Sequence, residues 1–452
     1  MKKRVVIVGG GFAGIEAAKA LRHAHADITL VDRSNHFVFQ PLLYQVATAS
    51  LATSEIAWPV RHLFRNRREV TTLLATVTGV EAEAKRVVLE DNVESIDKDQ
   101  RRIRTGSGSE LEYDYLILAA GSRHAYFGHD DWEPYAPGLK TIEDALEVRN
   151  RFLAAFEAAE RAETEAERRE HLTIVIVGGG PTGVELAGIM VSIAREALSR
   201  DFRRIDPATA RIILVEAGPR LVPAFQPHLS ERALQDLRAL GVEVRLNVPV
   251  TEIGDGLVRL GDEEIASRTV FWAVGNRGSS LSKAFPDCVD RAWHVKVSDD
   301  LSLPGHPEIF VAGDQAAVSD PGGKPVPRVA QPAMQMGVRA GKNVFADLLG
   351  KPRKSFHYHT HGDLAVIGRY RALAEFPWFT FSGVPAWFLW LFVHILYLAG
   401  FRNRLSVLVQ WGYAFVTWQR GVRLILRFRP GVSTLRPDPA EWRGTHEWKA
   451  AR

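Results

Sequence analysis

Two stretches of this chain share one pattern of hydrophobic positions. In each, a β-branched apolar run (Val5–Val8, Ile174–Val177) stops at a glycine cluster. A helical repeat of small and branched apolar residues follows (Ile15 to Leu21, Val184 to Met190). A short apolar run bounded by glycine predicts a buried strand, and the 3.6-residue period after it predicts a helix packed on that strand. Further strands are expected at Asp27–Val31, from Leu116 to Gly121, at Arg211–Val215, from Val270 to Gly275 and from Ile309 to Gly313. Strands alternating with helices predict parallel α/β sheets. The charged, Ala-rich stretch Glu143 to Glu170 reads as one connecting helix, and His357 to Phe376 as strand-like segments.

The last hundred residues change character. Val384 to Gly400 is apolar and uncharged except for His394, and a second apolar run covers Leu405 to Trp418. Six arginines and no acidic residue lie between Val384 and Arg429. At 17 residues the first run sits at the lower limit for crossing a bilayer. Two broken apolar helices with Trp387, Trp390, Trp411 and Trp418 and a cationic flank suit an interfacial, monotopic anchor on anionic lipid. A buried helix pair, a dimer interface and a transmembrane hairpin are the other readings of the same pattern. His394 is expected at the interface or at the mouth of a substrate site, since an ionisable group in such a run has a specific partner.

The glycine clusters carry the candidate chemistry. Gly9-Gly10-Gly11-Phe12-Ala13-Gly14 and Gly178-Gly179-Gly180-Pro181-Thr182-Gly183 are both G-x-G-x-x-G between strand and helix. There the glycines serve a tight turn, close backbone approach to a pyrophosphate, and helix–strand packing. Each is followed by a strand ending in a carboxylate, Asp32 and Glu216, placed to accept from a ribose. Two such loops imply two dinucleotides and electron transfer between them. Glu216 would repel a 2′-phosphate, which favours NADH over NADPH, although Arg220 stands nearby. Gly121 and Gly275 end strands suited to pass close to a cofactor. Asp314, after Ile309 to Gly313, would reach a ribityl or pyrophosphate group.

Composition adds exclusions. The chain has 452 residues, a formal charge of +4 and one cysteine, Cys288. That length holds two to three domains. A lone thiol excludes both an intrachain disulfide and a dithiol redox centre. The chain enters a strand by Val5 without a preceding apolar segment, so no secretory signal is read and a cytoplasmic globular part is expected. His357, His359 and His361 would share one face of a strand, and a solvated or headgroup-facing edge is expected there rather than a metal. The basic cluster Arg65, Arg67 and Arg68 reads as a solvated face. No EF-hand loop and no nucleic-acid module is read.

Several segments together resemble the type II NADH dehydrogenases, single-subunit NADH:quinone oxidoreductases. They are Asn35 to Thr48 (NHFVFQPLLYQVAT), Gly183 to Gly188 (GVELAG), Val329 to Gly337 (VAQPAMQMG), Gly362 to Gly368 (GDLAVIG) and Val393 to Arg404 (VHILYLAGFRNR). The loop Glu81 to Glu110 and the last twenty residues carry no such signal. The resemblance implies an α/β fold with two Rossmann-like dinucleotide-binding domains plus a C-terminal membrane-anchoring region. Residues 1–142 with 300–350 would bind FAD, 143–299 NADH, and 351–452 the membrane. It implies non-covalent FAD on Gly9, Gly11, Phe12, Ala13, Gly14, Asp32, Gly121 and Asp314. NADH, as substrate, would lie on Gly178, Gly180, Gly183 and Glu216 with Gly275 close by. Glu185 would face the nicotinamide–flavin stack, and Gln331 and Gln335 would line the pocket of a quinone, ubiquinone or menaquinone.

The residues leave some roles open. Glu185 also fits a helix N-terminal carboxylate favoured by the macrodipole. Gln331 and Gln335, spaced to share a helix face, also fit capping or core contacts. The implied reaction is hydride transfer to flavin and then two-electron reduction of quinone without proton pumping. It places a peripheral enzyme on the cytoplasmic face of the inner membrane, with a homodimer compatible. Sulfide:quinone and disulfide reductases lose weight for want of cysteines, and a soluble ferredoxin-type reductase leaves the apolar tail unexplained. A non-catalytic nucleotide sensor on the membrane is the reading from another class.

Overall fold

The computed structural model describes residues 2–91, 95–97, 102–104, 109–398, 400–417 and 422–426. Trp418 and the three arginines Arg420, Arg427 and Arg429 of the expected anchor lie outside them. The chain divides into two compact units, the first made of Met1–Val38, Ala57–Arg123 and Asn276–His361 and the second of Phe39–Ile56, His124–Gly275 and Gly362–Arg452.

In the first unit eight strands form one sheet, ordered Ser302–Leu303, His306–Val311, Tyr115–Leu118, Lys3–Val8, Ala26–Asp32, Val70–Glu81, Arg86–Asp91 and Ser109–Glu112. The central five are parallel, with Val5 opposite both Tyr115 and Ile28, Leu116 opposite Ile309, and Ile28 opposite Val70. Val5, Ile7, Ile28, Ile117 and Phe310 are fully buried, as expected of strands covered on both faces. The helix Phe12–Ala20 crosses the helix Ala330–Leu348 at small residues. A Cβ on Gly337 would lie 2.1 Å from the Ala13 carbonyl oxygen, and one on Gly341 2.6 Å from that of Ala17.

The second unit has a parallel sheet ordered Glu243–Leu246, Arg211–Glu216, Thr173–Val177 and Thr269–Trp272. Its core includes Val175, Val177, Ile213 and Val215, closed by Tyr126, Trp132 and Trp272. The Trp272 indole donates to the Ala125 carbonyl at 3.0 Å, so this large ring is buried with its polar atom satisfied. The expected connector Glu143 to Glu170 is two helices, Ile142–Arg161 and Glu165–Leu172. Each opens on a capping box, Thr141 with Asp144 and Thr164 with Glu167. A reciprocal cap at Thr164 makes a fresh start cheaper than continuation.

Behind this sheet an antiparallel trio, Asp363–Gly368, Arg371–Glu375 and Thr380–Ser382, leads into the helices Val384–Tyr397 and Phe401–Thr417. The expectation of strand from His357 is therefore corrected. Residues 357–362 are irregular, and the strand begins at Asp363. Segment 39–56 is stitched to the last helix by Trp411 donating to Gln45 Oε1 and Ser406 donating to Glu55 Oε1, both at 2.8 Å.

The Gly337 contact yields a test. Gly337→Val places two branches against the Ala13 backbone and is expected to destabilise the protein by about 3 kcal/mol, read as a lowered denaturation midpoint. Gly412→Ala, a helical site where a Cβ meets nothing within 4 Å, is expected to be neutral or to stabilise by up to about 1 kcal/mol.

Candidate functional site

The two glycine loops have the same local construction. In the first, Asp32 at the end of its strand accepts from the Gly10 amide at 2.5 Å and from Ser34 at 2.6 Å. In the second, Glu216 accepts from Gly179 at 2.6 Å and from Gly218 at 2.6 Å. The strand-end carboxylates thus pin the loops. Burial pushes the Asp32 carboxyl up, and the two amides offset part of this. Gly9 and Gly178 have φ of 108° and 114°, where a side chain is strained. A Cβ on Gly14 or Gly183 would stand 1.8 Å from the carbonyl oxygen of Gly9 or Gly178, so the third glycine closes each turn.

The middle glycines behave oppositely. Around a Cβ placed on Gly11 or Gly180 there is no atom within 4 Å. Both are helix N-caps without a side-chain cap hydrogen bond. Phe12 and Ala13 open the first of these helices. First-turn amides with no side-chain cap, beside clear space in front of the backbone, form a cradle that fits a pyrophosphate.

Gly121 has φ 68° and again clear space at its Cβ position. Beside it, Asp314 Oδ2 accepts from the Ser122 hydroxyl at 3.1 Å. The sequence reading misses Gln315. It is fully buried, accepts from the Ala120 amide at 3.2 Å and donates to Ser282 Oγ at 3.3 Å. Its signal is a lone amide after Gly313-Asp314 with apolar residues on both sides. The first unit therefore gathers Gly9, Gly11, Gly14, Asp32, Gly121 and Asp314. The second gathers Gly178, Gly180, Gly183, Glu216 and Gly275, where a Cβ would meet the Ala125 carbonyl oxygen at 2.8 Å.

Gln331 and Gln335 lie one turn apart on the helix Ala330–Leu348, as their spacing predicts. Their amides hold backbone. Gln335 donates to the His359 carbonyl at 2.8 Å and accepts from the His359 amide at 3.0 Å, while Gln331 accepts from the His361 amide at 3.1 Å. The alternating histidines thus ride on a segment clamped by the two glutamines. Among the described residues no cluster of three or more His, Cys, Asp or Glu is arranged to hold a metal.

Glu185 stands in the helix Pro181–Ser192, whose Gly188 packs so tightly that a Cβ would be 1.7 Å from the Ile367 carbonyl oxygen. Some of its surface stays accessible, but the carboxylate is enclosed by protein atoms. That desolvation raises its pKa well above the ordinary carboxylate range, against the opposing hydrogen bond from the Val366 amide.

The C-terminal helices are two-faced. On the first, Ala386 and Trp390 are buried while Val384, Phe388, Phe392 and Leu396, four residues apart, are exposed. His394 lies on the inner face, which corrects its expected interfacial place. Its Nδ1 donates to the Trp390 carbonyl at 2.7 Å and its ring stacks on Trp390 at 4.0 Å. Burial lowers its pKa to about 4, so it is neutral at physiological pH. On the second helix Asn403 and Val407 are buried and Phe401, Leu405, Leu408 and Val409 exposed. No helix among the described residues is long and apolar enough to cross a membrane.

Comparison with known proteins agrees with this geometry. The pattern of the pyridine nucleotide-disulphide oxidoreductase family matches residues 3–337, and that of the NDH2 C-terminal domain residues 360–417. The type II NADH:quinone oxidoreductases Ndh and NdhA of Mycobacterium tuberculosis are 39% and 40% identical, each over 93% of this chain and 89% and 88% of their own lengths. The Haemophilus influenzae type II NADH:quinone oxidoreductase is 32% identical over 82% of this chain and 87% of its own. Among solved structures, NDH2 of Plasmodium falciparum in complex with NADH superposes with a TM-score of 0.81 at 21% identity, covering 92% of this chain and 98% of that one. The Aquifex aeolicus sulfide:quinone oxidoreductase shares the fold at a TM-score of 0.68 and 20% identity, over 89% and 92%. A family pattern across both glycine loops, the NDH2 domain behind them and near-full-length relatives place the chain in the type II NADH:quinone oxidoreductase family.

Proposed function

We propose that this chain oxidises NADH and reduces a membrane quinone, ubiquinone or menaquinone, through non-covalently bound FAD. The observation that carries this reading is the repeated cradle. A carboxylate-pinned glycine loop with clear space before an uncapped helix occurs once in each unit, and the NDH2 domain follows. In this reading Gly9, Gly11, Phe12, Ala13, Gly14, Asp32, Gly121 and Asp314 hold FAD. Gly178, Gly180, Gly183, Glu216 and Gly275 hold NADH, with Glu216 disfavouring a 2′-phosphate. Held there, FAD would supply the two-electron hydride chemistry that links NADH oxidation to quinone reduction, which consumes one proton overall beyond the hydride.

The chain's own residues supply position and proton control. Gln331 and Gln335 line the quinone side while holding the backbone of His359 and His361, and Ala330 and Ala333 leave room for a ring. Glu185, protonated more readily than an ordinary glutamate, holds a proton at its carboxyl beside the reacting groups. The exposed apolar stripes of the two C-terminal helices lie along the bilayer interface, with Arg402, exposed at the start of the second helix, toward anionic headgroups. The enzyme is then peripheral on the cytoplasmic face of the inner membrane. The protons are scalar, and a vectorial flux in sealed vesicles would contradict this.

Anaerobic rapid mixing tests the activity. NADH should bleach the flavin absorbance of the loaded protein, and a short-chain quinone should restore it. Bleaching without recovery would leave a sensor or another acceptor, and no bleaching would remove the nicotinamide assignment.

Glu185→Gln tests the carboxylate. A folded pKa raised above the unfolded value of about 4.3 gives stability that is complete below that value and lost as pH rises through the folded pKa. Wild type and variant should therefore be closest in denaturation midpoint near about pH 4, with the variant gaining as pH rises through the folded pKa. Quinone turnover of the variant should fall about tenfold or more at unchanged flavin content. Unchanged turnover would leave Glu185 a structural residue.

For the anchor, deletion from Val384 would strip Trp390, only 2% exposed, out of the fold. Phe388→Glu with Phe392→Glu alters the outer stripe alone. That pair should abolish sedimentation with anionic vesicles while sparing flavin binding.

A further inference from the structure

Of the twenty large hydrophobic residues exposed among the described residues, fifteen lie between Tyr370 and Leu426. The two helices account for most of them, but not for the most exposed. That is Trp378, 91% accessible, which sits in a β-hairpin outside both helices. Strands Arg371–Glu375 and Thr380–Ser382 pair Leu373 with Ser382, Ala374 with Phe381 and Glu375 with Thr380. The Phe376 amide donates to the Phe379 carbonyl at 2.9 Å, which leaves Pro377 and Trp378 as a two-residue tip.

This tip is stiff. Phe376 stacks on Phe379 at 4.9 Å and Phe379 on Phe381 at 5.9 Å, with interplanar angles of 21° and 13°. The base is tied to the start of helix Pro227–Leu240. The Gln226 amide donates to Glu375 at 2.8 Å, and His228 meets the Thr380 hydroxyl at 3.0 Å. An indole at the apex of a braced hairpin is held away from the fold's own core, although burying a large aromatic side chain is favourable.

Charge decides what covers it. From Phe376 to Phe401 there is no Asp, Glu, Lys or Arg, and from there to Arg429 the only charges are arginines. The uncharged stretch therefore begins at the hairpin tip, eight residues before the first helix. A second copy presenting the same uncharged stretch would offer apolar surface but no opposite charge to the exposed Arg402 at its end. An anionic bilayer offers apolar depth and opposite charge together, and tryptophan favours the headgroup boundary.

We infer that the hairpin tip is a second membrane-entering element, with Trp378 and Phe379 seated in the headgroup region of an anionic bilayer beside the two helices. This rests on the peripheral-membrane reading above. The hairpin sets a third contact, so the protein is held by an area rather than along two helix stripes.

The test uses flavin-loaded full-length protein and vesicles of phosphatidylcholine with phosphatidylglycerol. Trp378→Ser with Phe379→Ser should weaken sedimentation with vesicles about tenfold or more, with NADH oxidation by a water-soluble acceptor unchanged. Leu349→Ser, an exposed site in the first unit, should leave binding unaltered. An environment-sensitive dye on Trp378→Cys in a Cys288→Ser background should shift blue with vesicles and be quenched by brominated lipid. If the hairpin variant binds as wild type does and the dye neither shifts nor quenches, the inference is overturned and helix anchoring stands. A change in oligomeric state without a change in vesicle binding assigns the tip to a second copy and overturns it too. If wild type fails to sediment at all, the membrane reading falls and takes the inference with it.

Discussion

The chain's chemistry depends on one small contact made twice, a strand-end carboxylate accepting the amide of the middle residue of a glycine triplet. Asp32 does this for Gly10 and Glu216 for Gly179, at 2.5 and 2.6 Å. Charge-assisted bonds of this length are about twice as strong as neutral ones. The bond ties the loop to the neighbouring strand, so the helix that follows starts at a fixed place with no side chain over its first amides. In the proposed function the same carboxylate would both recognise a ribose and hold the loop of the phosphate cradle, so replacing it would affect both.

The second constraint is the close contact between the helix Pro181–Ser192 and the strand Asp363–Gly368. Gly188 allows the helix to touch the Ile367 backbone, and one helical turn earlier the Val366 amide reaches Glu185. The C-terminal sheet is thus part of the environment of Glu185. It supplies burial that raises the pKa and a donor that lowers it, with burial the larger. An enzyme with the same glycine loops and a different C-terminal domain would have a different proton affinity at this position.

Much of this is legible in the sequence because it rests on local rules. Strand, glycine loop and helix are consecutive, residues 3–20 in the first copy and 173–192 in the second, so each cradle apart from its pinning carboxylate is written in one short stretch. What escapes is non-local or rests on a single residue. The break at Thr164 is encoded by a Thr–Glu cap that a helical period conceals. The grip of Gln331 and Gln335 on residues 359 and 361 joins positions up to thirty apart, and no spacing rule contains it. Nor does any local pattern assign segment 39–56 to the second unit. That assignment comes from Gln45 and Glu55 meeting Trp411 and Ser406, more than 350 positions later.

His394 shows why hydropathy alone misplaces a polar group. In a run of apolar residues an imidazole looks like the point that must face water. The helix instead puts the apolar stripe Val384, Phe388, Phe392 and Leu396 outside and turns His394 inward, where its Nδ1 donates to the Trp390 carbonyl and the indole covers its ring. Neutral, it is tolerated in the core. Protonated, it would be a buried cation with one hydrogen bond, which is why its pKa falls to about 4. The stripe Val384, Phe388, Phe392 and Leu396 can be apolar along its whole length because the one imidazole of this helix is satisfied within the fold.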